Sequence, residues 1–451
     1  MISTNGPSFP LASGPLDAGG LACFGRACDG AIAIAIIVGL ALLPLLLGAG
    51  AAIDLGRAYM VKSRLGYAID AAALAVGAAT TTDEGELEEI MLAFFAANYP
   101  AQELGVPATP VMVINDSEVS IYATAEVTTT LMSIAHVETL TVSAETLVIR
   151  ETKGLEVALV LDNTGSMGTT KMNNLKDAAQ IFLDILYGNE DENELLKVAV
   201  VPFAGTVNVG TNFTFLKSSF DNDDWHPADW AGCIMARGGS RDRNDSPPIN
   251  NTTRWAGYLW PNSNNNNWPA VTSYKGPNLD CPVRLLPLTT TKSTVEDKIE
   301  DMRSAGITHI NVGLVWGWRV LSPTEPFTQA VAYDNEEFNK AIVLMTDGEN
   351  TFSSSSFGAY GRLSQGLLGT TNSNTAENTL DSRTTEVCNA IKAEVILIYT
   401  ITFQVDSNSA RNLMRNCATD SSKYFDSPNA ATLTQTFRAI GKELSNLRIG
   451  G

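Results

Sequence analysis

The segment EVALVLDNTGSMG, residues 156–168, decides the fold of the larger part of this chain. Its first half, residues 157–161, is apolar without alternation, which is typical of a strand buried on both faces in a parallel sheet. Directly after it come a carboxylate and two hydroxyls, Asp162, Thr164 and Ser166. Because open α/β sheets bind ligands at the carboxyl ends of their strands, a binding site is predicted at this point.

Similar apolar runs recur outward from this segment, at residues 198–203, 341–345 and 395–403. Between them, helical periodicity predicts amphipathic helices at residues 173–187, 294–304, 312–321, 379–393 and 430–447. This alternation predicts a doubly wound, Rossmann-like α/β domain over residues 151–449. Stretches rich in Asn, Ser, Gly and Pro at residues 211–290 and 350–378 are expected to be long surface insertions.

The beginning of the chain has a different composition. Residues 31–53 contain no charged or strongly polar side chain, and about 20 apolar helical residues suffice to cross a bilayer core. We therefore expect a single transmembrane helix after a short tail, residues 1–30. Residues 54–150 predict a small α+β unit, with helices at 54–79 and 84–98 followed by short strands at 111–114, 119–127 and 140–149.

The charge balance limits the classes of partner. The chain has 49 acidic and 30 basic residues, a formal net charge of -19. Nucleic-acid binding requires clustered Lys and Arg, so no nucleic-acid partner is expected. An acidic surface is compatible with divalent cations and with solubility.

Two further segments complete a set of oxygen ligands. Thr346-Asp347-Gly348 follows the strand at 341–345, and Gly306-Ile307-Thr308 precedes a predicted helix. Carboxylate and hydroxyl oxygens suit Mg²⁺ or Mn²⁺ rather than softer ions. The predicted metal ligands are Asp162, Thr164, Ser166, Thr308 and Asp347.

This set resembles the metal-ion-dependent adhesion site (MIDAS) of von Willebrand factor A (vWA) domains, whose pattern is Asp-x-Ser-x-Ser, a loop Thr and a later Asp. Thr164 stands where Ser is more usual and keeps the hydroxyl. The resemblance implies an ion whose coordination sphere stays open, so that an acidic group of a protein partner completes it. The chain is then a binding protein rather than an enzyme.

A second resemblance covers most of residues 30–449. The runs IDLGRAY (53–59), DAAALA (70–75), GLVWGWRVLSP (313–323) and VLMTDGEN (343–350) are similar to TadE/TadG-like proteins of Flp (Tad) pilus assembly. Ala35 stands where a pilin has Glu, so prepilin-peptidase cleavage is not expected. The resemblance implies an inner-membrane, single-pass bacterial protein with a periplasmic or surface-exposed C-terminal region. Its partners would be pilus or Tad-secretion components, or a surface ligand offering an acidic residue.

The sequence is compatible with two other functions of the site. The bound ion could be purely stabilising in a structural pilus-assembly component. Alternatively, Ser166 could be a hydrolase nucleophile with His309 as its base, but Thr164 breaks the G-x-S-x-G pattern. His309 is more simply interpreted as a surface residue at a helix start.

Four cysteines follow the predicted anchor, an even number that fits an oxidising compartment. Cys388 lies on a predicted helix and Cys417 at the end of the next one, so we predict a bridge between them, and a second bridge between Cys233 and Cys281. The first predicted insertion also concentrates tryptophans, which either bury a small core around the second bridge or form an exposed contact surface. We favour the core for these residues: Trp225, Trp230, Trp255, Trp260 and Trp268.

The first testable prediction concerns topology. Arg57, Lys62 and Arg64 follow the apolar segment and only Arg26 precedes it, which by the positive-inside rule alone would keep the large region in the cytoplasm. The family resemblance and the even cysteines favour export instead. A periplasmic reporter fused after Gly451 should be active and a cytoplasmic reporter inactive; the opposite pattern would refute the prediction.

Overall fold

The computed structural model describes residues 24–79, 83–100, 104–115, 118–150, 153–211, 215–217, 230–261 and 276–449. The chain divides into two compact units, residues 1–150 and 151–451, and each is described by itself. Trp225 and Trp268 lie outside the described residues, so their predicted burial concerns a part that the structure does not describe.

The first unit packs two helices on one face of an antiparallel sheet. The helices are α1, Phe24–Gly77, and α2, Glu84–Asn98. The strands are β1, Val106–Pro107, β2, Val111–Asn115, β3, Glu118–Thr128, and β4, Thr139–Ile149, with β3 pairing the other three. Alternate residues of β3 are buried against the helices, as the period of a half-buried strand requires.

Asp54 fixes α1 to the loop that precedes β4. Its carboxylate is buried and accepts hydrogen bonds from the backbone N–H groups of Thr130, Leu131 and Met132, at 3.0, 2.9 and 2.8 Å. Gly50 lies one turn earlier, where a Cβ atom would come within 2.4 Å of Leu131 Cβ. The loop can therefore approach α1 closely only because residue 50 has no side chain.

The apolar window of α1 that begins at Ile36 is almost entirely exposed. In the described part of the chain, α1 is the helix that is long and apolar enough to cross a membrane. Its apolar window has a mean hydropathy of 2.5 and is 6% buried. Exposed apolar side chains in the N-terminal half of α1 include Ile34, Ile36, Ile37, Leu40 and Leu45.

The second unit is built on one six-stranded sheet. Its strands are β5, Gly154–Asp162, β6, Leu196–Phe203, β7, Leu286–Thr289, β8, Phe338–Thr346, β11, Leu397–Phe403, and β12, Tyr424–Ser427. They run in the order β12-β11-β8-β5-β6-β7, parallel except for β7. A separate short hairpin consists of β9, Phe357–Gly358, and β10, Gly361–Arg362.

Helices cover both faces of this sheet. One core joins it to α3, Gly168–Tyr187, α4, Lys292–Glu300, and α8, Ala430–Ile449. The other joins it to α5, Ile310–Leu321, α6, Ser373–Ala393, and α7, Asn408–Cys417. Nine consecutive buried residues in β5 are the consequence of being covered on both sides. The predicted doubly wound α/β fold is confirmed.

Several elements differ from the sequence prediction. Strand β12 was not predicted, because it is only four residues long and partly polar. Strand β7 and the first residues of α6 lie inside the segments expected to be insertions. Helix α4 ends at Glu300 instead of continuing to Ser304, and the residues after it take part in the binding loop described below.

Both predicted disulfides are present, Cys233–Cys281 and Cys388–Cys417. Trp230 and Trp255 are buried, in agreement with the predicted core, while Trp260 is half-buried. The ring of Trp255 lies 5.1 Å from that of Trp316 on α5, which ties the Trp-rich segment to the second core.

The bridge between α6 and α7 should contribute measurably to stability. Replacing both Cys388 and Cys417 by Ala opens a loop of 29 residues. We expect the unfolding free energy to fall by about 3 kcal/mol, because the unfolded chain regains the entropy that the cross-link removes. Chemical unfolding of the full-length protein in detergent measures the loss. Peptide mapping without reduction should identify both bridges, and free thiols at these positions in exported protein would contradict the assignment.

Candidate metal centre

The candidate site lies where the order of strands reverses. Strands β5 and β8 are neighbours in the sheet, but the chain leaves them toward opposite sides of it. The two connections diverge at the carboxyl edge and leave a crevice there, which is where open α/β sheets bind ligands. Asp162 is the last residue of β5, and Asp347 follows the last residue of β8.

Asp162 is fully buried and bonded to both strand ends. Its Oδ1 accepts a 2.7 Å hydrogen bond from the backbone N–H of Thr164, which closes a tight turn after β5. Its Oδ2 accepts a 2.7 Å hydrogen bond from the Thr346 hydroxyl and a longer one, 3.4 Å, from the N–H of Asp347. A single carboxylate therefore holds the two loops in register.

Hydroxyl groups connect the two carboxylates. The Thr164 and Ser166 hydroxyls are 3.0 Å apart, and the Ser166 hydroxyl donates to Asp347 Oδ1 at 2.6 Å. Asp347 is buried, whereas Ser166 is exposed. The site thus opens to solvent at Ser166 and is closed beneath by Asp162.

The third predicted segment lies beside this group. The N–H of Gly165 donates to the carbonyl of Gly306 at 2.9 Å, so the two loops are in contact. Thr308 is buried, with its backbone paired to Thr351. Within the described residues, no hydrogen bond links the Thr308 hydroxyl to the other four predicted ligands. Hydrogen bonds therefore link Asp162, Thr164, Ser166 and Asp347 to one another. In the described structure Thr308 itself is not bonded to them, but its loop is held beside them through Gly306.

Burial and the second carboxylate change the acidity of Asp162. Loss of hydration, followed by the nearby charge of Asp347, raises the pKa of Asp162 from 3.8 to about 6. Hydrogen bonds from Thr164 and Thr346 act in the opposite direction and are outweighed. Two acidic groups held this close attract positive charge, such as that of a divalent cation.

The donor set fits a hard cation. It consists of two carboxylates and neutral hydroxyls, all oxygen donors, as Mg²⁺ and Mn²⁺ prefer. In the described part of the chain, no three His, Cys, Asp or Glu side chains come together as metal ligands. A site at Asp162 would therefore depend on hydroxyls and on water, and it would leave coordination positions for an external ligand.

His309 was expected at the surface, and this is wrong. The helix start was placed correctly, since His309 caps α5, but its side chain is fully buried. The ring packs edge-on against Phe352, with centroids 5.3 Å apart, and burial lowers the pKa of His309 to about 4. In the described structure, Ser166 shares its hydrogen bonds with Thr164 and Asp347 and not with an imidazole. The geometry therefore does not favour the hydrolase alternative.

Three residues near the site were missed from the sequence. The Thr346 hydroxyl holds Asp162, and Lys171 on α3 forms an ion pair with Asp347 at 2.7 Å. Asn163 binds the loop after α4 through two hydrogen bonds. Its side-chain amide donates to the carbonyl of Arg303, and its backbone carbonyl accepts from the N–H of Ala305. Thr346 and Asn163 each adjoin a predicted ligand, which was an available signal. No sequence signal pointed to Lys171, because its partner Asp347 is 176 residues away in the chain.

The second unit is a doubly wound α/β domain whose three predicted ligand segments lie at the carboxyl edge of the sheet, and comparison with solved structures finds vWA domains among the similar chains. The vWF domain of the type V pili tip protein Mfa5 from Porphyromonas gingivalis is similar to this chain, with 14% identity, a TM-score of 0.39, and coverage of 66% of this chain and 97% of that one. Pilus adhesin SpaC from Lactobacillus rhamnosus GG has 12% identity, a TM-score of 0.36 and coverage of 74% of this chain, which spans 34% of that adhesin. PTMP1 from the mussel byssus, with a zinc-occupied MIDAS motif, has 13% identity, a TM-score of 0.32, and coverage of 66% and 47%.

The N-terminal segment is similar to a different family. Residues 30–79 match the family model described as Flp pilus-assembly TadE/G-like. The predicted resemblance to TadE/G-like proteins is confirmed over this segment. No curated protein matches the sequence.

The raised pKa of Asp162 predicts how the unfolding free energy of the metal-free protein depends on pH. Because the folded-state pKa of Asp162 lies above its unfolded value, the ionised carboxylate costs stability above pH 6, and this cost disappears as the pH falls toward 4. Asp162→Asn keeps the shape and removes the charge. We expect it to raise the unfolding free energy by about 3 kcal/mol at pH 8 in EDTA, and by about half as much at pH 5, where the unfolded chain is still mostly ionised at this residue.

Thermal unfolding of the full-length protein in detergent at both pH values provides the measurement. Asp177→Asn on the exposed face of α3 is the matched control and should change neither curve. A loss of stability in Asp162→Asn at pH 8 would mean that the carboxylate is not destabilising in the folded protein.

Proposed function

We propose that this protein is a membrane-anchored binding protein of Flp/Tad pilus assembly or surface adhesion, which captures a protein partner through a divalent cation. The observation that carries the proposal is the convergence of Asp162 and Asp347 with the Thr164 and Ser166 hydroxyls at one sheet edge. These groups offer oxygens for Mg²⁺ or Mn²⁺ and leave the exposed side of the site to an outside ligand. Thr308 is the fifth proposed ligand, from the neighbouring loop.

The proposed partner contributes an acidic side chain. A hard cation with vacant positions prefers a charged oxygen ligand, and a carboxylate supplies one without redox or acid–base chemistry. The match of residues 30–79 to a Flp pilus-assembly family supports pilus or Tad-secretion components as the first candidates. The proposal assigns no catalytic step to the site.

The anchor is the apolar half of α1. Its length and mean hydropathy of 2.5 suit a single membrane crossing, and most of its described side chains are exposed rather than packed in a core. We propose a single-pass inner-membrane position, with the region after the apolar segment periplasmic or surface-exposed. The two disulfides support this orientation, because such bonds persist in oxidising compartments.

The decisive experiment compares partner capture with and without the ion. Full-length protein in detergent is used as bait against envelope extracts of the host, in Mg²⁺ or in EDTA. We expect chelation to abolish capture by the wild type. Asp162→Asn and Ser166→Ala should reduce capture at least about tenfold in Mg²⁺, because one loses charge and the other a ligand at the ion.

Asp162→Asn is preferred to Asp162→Ala, since truncation would leave buried donors of Thr164 and Thr346 without their acceptor. Asp177→Asn is again the control and should capture normally. A purely structural ion would give a different result, with earlier melting in EDTA but unchanged capture. Capture that survives both EDTA and Asp162→Asn would refute the proposal.

A further inference from the structure

Lys171 is placed against the candidate centre by the start of α3. The helix begins at Gly168, directly after the Asp162 loop, and Lys171 lies in its first turn. Its Nζ is 2.7 Å from Asp347 Oδ2, and its side chain is 25% exposed, whereas the Asp347 side chain is inaccessible. The ammonium group therefore reaches a buried carboxylate from the solvent side.

Both oxygens of Asp347 have partners in this arrangement. Oδ1 accepts the Ser166 hydroxyl and Oδ2 accepts Lys171. The residue that the proposed site assigns to the cation is thus bonded to a fixed positive charge of the chain itself. A divalent ion at Asp347 would lie close to that ammonium group, and two cations near one carboxylate repel each other.

We propose that Lys171 is an internal competitor of the divalent cation, which lowers the affinity of the site and leaves Asp347 when the ion binds. This inference rests on the proposed function, since it concerns the same site. Lysine suits the role because its charge is a compact point on a flexible stem, and the partly exposed side chain can turn outward into water. The ion affinity is thereby set by a residue that is not a ligand.

The test is a calorimetric titration of Mn²⁺ into the full-length protein in detergent. Lys171→Met removes the competing charge and keeps the apolar stem, and Lys171→Gln keeps polarity. Both should bind Mn²⁺ at least about tenfold more tightly than the wild type, because the ion no longer displaces an ammonium group. Lys171→Arg, which retains the charge, should stay close to the wild type.

Lys176→Met is the matched control. Lys176 also lies on α3, but its ion-pair partner is Glu300, whose side chain is 80% exposed. It should leave the Mn²⁺ affinity unchanged. Thermal unfolding in EDTA gives a second measurement: Lys171→Met should melt earlier than the wild type and regain more stability on Mn²⁺ addition, as tighter binding requires.

The outcomes separate the two proposals. Wild-type binding of Mn²⁺ with equal or weaker binding by Lys171→Met and Lys171→Gln overturns the competitor role and leaves the proposed function intact; weaker binding would make Lys171 a positioning residue. Absence of Mn²⁺ binding from the wild type and from every variant overturns both. Binding by the variants with weak binding by the wild type supports the inference.

Discussion

The organisation of the second unit depends on one buried carboxylate at the reversal point of the sheet. Asp162 ends β5, and its two oxygens hold the turn at Thr164 and the end of β8 at Thr346. The same loop is tied to the segment after α4 through Asn163 and Gly165. Three segments that are far apart in sequence thus meet at one charged group, which is costly to bury unless it is compensated. The raised pKa of Asp162 is the physical expression of that cost.

The sequence predicted what local patterns determine. Continuous apolar runs such as residues 157–161 predicted strands covered on both faces, and the structure buries every residue of β5. The ends of β5 and β8 could be identified as one site because parallel neighbours end at the same edge. The Cys388–Cys417 bridge followed from two consecutive helices, and the Cys233–Cys281 bridge was predicted beside it.

The rest depended on tertiary contacts that no local pattern contains. His309 looked like a surface residue because it is polar and starts a helix, yet Phe352 and Tyr360 enclose it. Short edge strands such as β12 carry too few residues for a period to be detected. The role of Lys171 required knowing that the first turn of α3 faces a residue 176 positions later. The predictions succeeded where a pattern ran over many consecutive residues. They failed for short elements and for contacts between residues far apart in the sequence.

The charges of the site connect ion binding to partner binding. Under the proposed function, Asp162 and Asp347 balance the two charges of a divalent ion, and the ammonium group of Lys171, displaced from Asp347 by the ion, adds a third positive charge nearby. The ion alone therefore leaves the region with excess positive charge. An acidic side chain of the partner would remove that excess while filling an open coordination position. Each ligand then raises the affinity for the other by the same factor, because coupling between two binding equilibria is reciprocal. A weak ion site is in this view a consequence of the arrangement, and it makes retention of the ion depend on the partner.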